Sequence, residues 1–356
     1  MWNVVERWVH RYFADEEAVL LSLLIVAALV VIVTMGTLLA PFLAALVFAF
    51  LLQSAVSLLK SWHFPHLLAV TIVFSCFMGF FFITMVFLFP IVIEQSSNLI
   101  QEVPGMIKRW QETILLLPEK YPNLISEARL AELVVYIQGE TAQYAEAVLT
   151  FSVSKFPNVI VIMVYLVLVP LLIFFMLKDR DYLMGALADL LPQRRPVMNQ
   201  VWREMNVQIT NYVRGKATEV IAVGVTTYIW FSLLGVNYAA LLAILVGLSV
   251  VIPYIGAAVV TIPVLLAGFF QWGWSGEFFW LVTAYTVIQT IDGNVLVPLL
   301  FSEAVNLHPV AIILAVLIFG GIWGIWGVFF AIPLATLVKA LYNAWPRSVP
   351  EVLVSE

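Results

Sequence analysis

Asp292 is a carboxylate between two uncharged stretches, FFWLVTAYTVI before it and VLVPLLF after it, with Gln289, Gly293, Asn294 and Pro298 as its near neighbours. A charge in hydrocarbon is costly, and such residues mark solute paths, ion sites or proton relays. The residues leave two readings open. Counted from Phe278, Asp292 is fifteenth in a continuous helical pattern, too deep for the end of a span of about 20 residues. Alternatively, Gly293 and Pro298 end the helix, and Asp292 caps it at the cytoplasmic surface. Gln289 and Asn294 favour a polar cluster. Glu219, at the start of another apolar stretch and near Arg214 and Lys216, reads as an interface residue.

Two further stretches could bend or move. SVVIPYIGAAVVTIPVLLAGF carries Pro253, Gly256 and Pro263. Proline removes a backbone donor and glycine permits a turn, so a re-entrant hairpin fits, as does a pair of kinked packing helices. In IFGGIWGIWGVFF, Gly320, Gly321, Gly324 and Gly327 are spaced by three and four. They make a stripe where another backbone can approach closely. With a turn at Gly320 and Gly321, the segment from His308 to Lys339 becomes a second hairpin.

Other chemistry is missing from the motifs. No phosphate-cradling glycine loop ends in Lys-Ser or Lys-Thr, and no nucleophile elbow or HExxH occurs. His10, His63, His66 and His308 lack zinc-site spacing, with His63 and His66 flanking Pro65 in a predicted loop. The expectation is therefore a protein that is not an enzyme, with no cofactor, no metal and no nucleic-acid partner. A secondary transporter of a small polar solute or ion fits best. A channel with a wet central pore, and a scaffold or assembly protein, are the alternatives.

These residues sit in a chain of 356 residues that is 63% hydrophobic and 11% charged, with a mean hydropathy of +1.03. Runs of roughly 18 or more apolar residues recur, as in membrane-spanning helices. The expected fold is all-α, a polytopic helical membrane protein whose main partner is the lipid bilayer. The N-terminus mixes acids with bases and lacks the pattern of a signal peptide. Cys76, the single cysteine, reads as a small packing residue. VLVPLL occurs at 167–172 and 295–300, but the flanks differ and no duplication follows.

Five regions are expected: an N-terminal cytoplasmic segment with three spans (1–93), an extracytoplasmic amphipathic helical domain (94–157), a fourth span with a cytoplasmic amphipathic helix (158–216), a core with broken or re-entrant helices (217–345), and a cytoplasmic tail (346–356). The first two spans, about 18–36 and 37–59, require a tight turn near Gly36 and Pro41. Met198, Val201, Trp202, Met205, Ile209 and Tyr212 form one stripe of a helix expected to run on into the fifth span. With the N-terminus inside, twelve Lys and Arg fall on the cytoplasmic side and five in the 94–157 domain, which favours both termini in the cytoplasm.

QITNYVRGK, VGLSVVIPYIGA, DGNVLVPLLFSEAVNLHPV and IFGGIWGIWGVFFAIPLATLVKAL resemble the signature regions of the autoinducer-2 exporter family, most closely its PerM-type permeases. The resemblance implies a bacterial inner-membrane transporter with about eight membrane segments, assembling as a homo-oligomer, a pentamer by family. It implies export of the signal autoinducer-2 in some members and sodium/proton antiport in others. By position, it directs attention to Pro253, Tyr254 and Gly256, to Asp292, Asn294 and Pro298, to His308 and Pro309, and to Gly320, Gly321, Gly324 and Gly327. It also makes a helix broken at Asp292 the expected arrangement.

Overall fold

The computed structural model describes residues 16–115, 159–301 and 307–345. Among them all regular structure is helical, as it must be where water is absent to satisfy backbone groups. The chain is a polytopic helical membrane protein. Among the described residues, six apolar stretches are long enough to cross a bilayer.

Helix α1 (Glu16–Ser61) is helical through all 46 residues, with Gly36 and Pro41 inside it. The expected tight turn is absent. One proline removes one helical hydrogen bond, whereas a turn would expose several backbone groups amid Leu, Val and Ala side chains. Along its axis α1 measures about 69 Å, more than twice the ~30 Å hydrocarbon layer. Both candidate spans, Val19–Gly36 and Leu38–Ser61, lie within it.

After a turn holding His63 at φ 66°, α2 (His66–Ile83), a π-helical stretch (Thr84–Leu88) and α3 (Phe89–Leu115) follow one another without a loop. The amphipathic segment after Glu94 is thus an extension of the span before it. The second amphipathic helix expected over Leu130–Val148 lies outside the described residues. Cys76 is exposed on α2, not packed inside, on the side that also leaves Ile72 and Phe80 exposed. Helix α4 (Val159–Lys178) lays Ile173 and Leu177 against Ala45, Ala49 and Val56 of α1 and Val70 of α2. His66 Nε2 lies 3.0 Å from the carbonyl oxygen of Lys178.

After α5 (Arg180–Asp189), α6 runs unbroken from Pro196 to Leu233. Its start is capped from α1: Glu17 accepts the Met198 backbone N–H at 2.7 Å, placing a carboxylate at the positive helix end. Met198, Val201, Met205 and Tyr212 of the predicted stripe are buried, whereas Trp202 is exposed.

Two hairpins complete the fold. In the first, α7 (Ala239–Ser249) and α8 (Ile255–Trp272) fold back so that Val246 and Val250 share a cluster with Val260 and Val264. At only 11 residues, α7 spans about 16 Å, half a bilayer. Gly256 seals the turn, since a Cβ there would overlap the Ser249 carbonyl. From α9 (Gly276–Ile291) the chain passes through a π-helical stretch (Asp292–Leu296) into α10 (Val297–Phe301).

The second hairpin comprises α11 (Pro309–Phe329) and α12 (Ala331–Ala344). Inside α11, Gly324 has φ 62° and ψ −137°, a conformation open to glycine. Gly327 abuts the backbone of Phe319. Eight residues of straight helix would separate these by about 12 Å, so the chain reverses. The reversal is at Gly324 rather than at the expected Gly320 and Gly321. Gly320 and Gly327 instead mark the closest approach of the two arms.

Candidate functional site

A cavity of about 240 Å³ lies between α6, α9, the turn of the first hairpin and the flank of the second. Helix α6 supplies Lys216 and Glu219, the first hairpin Ile252, Pro253 and Tyr254, and the α9–α10 rod Gln289, Asp292 and Phe301. Ile312 and Ile332 of the second hairpin close an apolar wall.

Lys216 and Glu219 are 6% and 1% exposed. The Lys216 ammonium donates to Glu219 Oε2 and to the Val250 carbonyl, both at 2.7 Å, and stands 5.1 Å from the centre of the Phe301 ring. Val250 follows the last turn of α7, where carbonyls lack helical partners and the dipole favours a cation. Lys216 therefore ties the first hairpin to α6 while balancing Glu219. Gly215 leaves room for Phe301, whose ring a Cβ would meet at 2.7 Å.

Asp292 is 8% exposed. It lies within the candidate span Gly276–Phe301, about 24 Å along the rod from Gly276 and about 14 Å from Phe301. Its Oδ1 and the Nε2 of Gln289 have no hydrogen-bond partner among the described residues. A buried acceptor and a buried donor, one helical turn apart, are thus unspent beside an open volume. With all three side chains ionised, two carboxylates and one ammonium leave the cavity with one net negative charge.

The helix does not break at Asp292, contrary to expectation. It widens into the π-helix, with the Val297 N–H reaching the Asp292 carbonyl. Pro298 explains the widening: it has no N–H and crowds the carbonyl four residues earlier, and one inserted residue relieves both. The other π-helix, Thr84–Leu88, stands in the same register before Pro90. Such bulges re-aim side chains and recur at functional sites. The remaining helix continuity is why Asp292 is held inside the span and not at its end.

Of the residues singled out in the sequence, Gln289, Asp292, Pro253 and Tyr254 line the cavity, and Tyr254 has a positive φ of 62°. Gly256 lies behind the turn. Asn294 is exposed and donates to the Thr290 carbonyl at 2.9 Å, so it does not join Asp292. Pro298 acts through the backbone. His308 caps α11, its Nδ1 accepting the Val310 N–H at 3.2 Å, and does not line the cavity. Gly320, Gly321, Gly324 and Gly327 belong to the second hairpin. Lys216 went unrecognised in the sequence, and Glu219, read as interfacial, is buried in the site. The available signal was their spacing: Tyr212, Lys216, Glu219 and Val223 share one face of α6, and all four are buried.

Residues 20–347 match the AI-2E family transporter family. The chain belongs to the AI-2E transporter family. It is 45% identical to the PerM permease of Escherichia coli (strain K12) over 346 residues, 97% of this chain and 98% of that protein. It is 27% identical to the transport protein YueF of Bacillus subtilis (strain 168), covering 87% and 85% of the two chains. Similarity to the AI-2 transport protein TqsA of Escherichia coli (strain K12) is lower, 22% over 90% and 91%. The family match takes in every helix that lines the cavity.

Proposed function

We propose that this protein is a secondary transporter whose solute site is the cavity holding Asp292, Gln289, Lys216 and Glu219. The unspent Asp292 Oδ1 carries the reading, since a carboxylate held in a bilayer-length helix beside an open volume needs a ligand, an ion or a proton. Lys216 is already engaged, so the free groups suit a solute that donates hydrogen bonds or brings positive charge to Asp292 and accepts a hydrogen bond from Gln289. A small polar solute of the autoinducer-2 type fits those terms, moved outward by alternating access across a bacterial inner membrane. A second reading, sodium/proton antiport, draws support from the excess carboxylate. Half-length α7 and the Gly324 reversal supply hairpins that can move against α6 and α9. Both termini lie in the cytoplasm in this account, and copies of the chain assemble as a homo-oligomer, a pentamer.

Alternating access makes a definite prediction for Gln289→Cys placed in a Cys76→Ala background. An impermeant thiol reagent applied to one side at a time labels the site from either face, and an imposed ion gradient shifts labelling from one face to the other. Simultaneous access from both faces indicates a pore, and access from neither sinks the site assignment.

A further inference from the structure

We propose that Thr227, Thr261 and Tyr285 form a buried polar track that carries solute between the cavity and the membrane face bearing Gly235 and Gly273, an inference that rests on the transport reading of the cavity. The core between α6, α8 and α9 is otherwise apolar, built from residues such as Val223, Phe231, Val264 and Leu281. Three hydroxyls interrupt it.

Tyr285 stands two turns beyond Asp292 on α9, about 10 Å towards Gly276, with Gln289 between them on the same face. Its hydroxyl lies 2.9 Å from Thr261 Oγ1. Thr261 spends its single proton on the Ala257 carbonyl at 2.7 Å. Tyr285 also lies 3.5 Å from the same Ala257 carbonyl, so its one proton goes to Thr261 or to that carbonyl, and its oxygen keeps lone-pair capacity on the side of Gln289.

Thr227 is 0% exposed, and its Oγ1 has no partner among the described residues. It sits on the α6 face between Val223 and Phe231, both of which belong to the cluster that contains Tyr285. Phe231 and Tyr285 have ring centroids 6.5 Å apart. Thr227 is about 12 Å beyond Glu219 along α6, the same direction and nearly the same distance as Tyr285 from Asp292. Buried polar atoms without partners are rare in a finished core. Here unspent capacity recurs at two levels, Asp292 with Gln289 and then Thr227 in the same cluster as Tyr285, both leading one way from the cavity.

The end of that direction is fixed by Gln271, which accepts the Asn237 N–H and donates to the Gly235 carbonyl, both at 2.7 Å. The α6–α7 turn and the end of α8 therefore share one face. Gly235 is about 12 Å beyond Thr227 along α6, past Phe231 and Leu234 of the apolar cluster. The sequence hides this track because isolated Thr and Tyr are common in apolar helices and these three come from three different helices.

The test uses the full chain in proteoliposomes, in the Cys76→Ala background, with Asn237→Cys and Asp189→Cys reporting the two faces and an impermeant methanethiosulfonate as the probe. Thr227→Cys is expected to be labelled from the Asn237 face and not from the Asp189 face. Labelling from the Asp189 face alone, or from neither while Asn237→Cys reacts fully, overturns the track. Tyr285→Phe, which keeps the ring packing, is expected to lose transport while Gln289→Cys stays reactive from the Asp189 face. Wild-type flux in Tyr285→Phe also overturns the proposal. Loss of Gln289→Cys labelling from both faces would instead indict the cavity itself, so the two failures are separable.

Discussion

Lys216→Met is expected to abolish transport and to lower the melting temperature of the detergent-solubilised protein more than any other exchange in the cavity. The ammonium satisfies a buried carboxylate and a hairpin-turn carbonyl at once. Its removal strands Glu219 as an uncompensated buried charge and Val250 as an unpaired acceptor. Breaking a buried pair from one side costs about 3–5 kcal/mol, a large part of the stability of any domain. Methionine fills much of the same volume, so the loss reports charge and hydrogen bonding more than a void. The paired change Lys216→Met with Glu219→Gln removes both charges and is expected to recover most of the melting temperature without recovering transport, because the tie to the first hairpin is still gone. Thermal unfolding of the wild type and these two variants checks this. An unchanged melting temperature in Lys216→Met would mean that the pair is not buried as described.

The turn glycines come next in size. Gly256→Ala and Gly327→Ala each push a Cβ into a backbone carbonyl, of Ser249 and Phe319, and a carbonyl cannot step aside as a side chain can. Overpacking of this kind costs roughly 1–3 kcal/mol, and here it pries apart the two arms of a hairpin. Gly321→Ala is the internal control, because nothing lies within 4 Å of its added Cβ and alanine is the better helix former. Size-exclusion profiles and melting temperatures should show both hairpin variants depleted or destabilised, with Gly321→Ala at wild-type level or above. Equal behaviour of all three would contradict the hairpin geometry.

Much of this was legible in the sequence, for identifiable reasons. Helical spans announce themselves by uninterrupted apolar length, and Pro253 with Gly256, like the four glycines of 320–327, signal that the chain turns within an apolar stretch. Locating a turn is harder. Gly320, Gly321, Gly324 and Gly327 are interchangeable on paper, and only backbone geometry shows that Gly324 takes the positive φ while Gly320 and Gly327 make the contact. Gly36 with Pro41 looked like a turn yet lies in a continuous helix, since neither residue outweighs the helical preference of its apolar flanks.

The site divides the same way. Asp292 stood out because a carboxylate is conspicuous among apolar residues, and Gln289 followed by proximity. Asn294, two positions on, is equally polar but stands apart: in a helix two residues apart point to different faces, and the π-bulge does not bring it round. Lys216 was obscured by Arg214 and by the cytoplasmic charge that precedes it, so a membrane-edge residue was the natural reading. Its partner across the fold, the Val250 carbonyl, is a backbone group that no residue pattern discloses.

The central claim is that solute passes through the cavity at Asp292, and flux in proteoliposomes of Asp292→Asn set against Asn294→Ala tests it most directly. Both changes fall in one π-helical turn, but only the first touches the cavity. Measured over a panel of monovalent cations and small polar metabolites including autoinducer-2, Asp292→Asn should lose transport of whichever solute the wild type moves, or lose its dependence on pH, while Asn294→Ala retains both. Wild-type flux and pH dependence in Asp292→Asn for that solute would contradict the account.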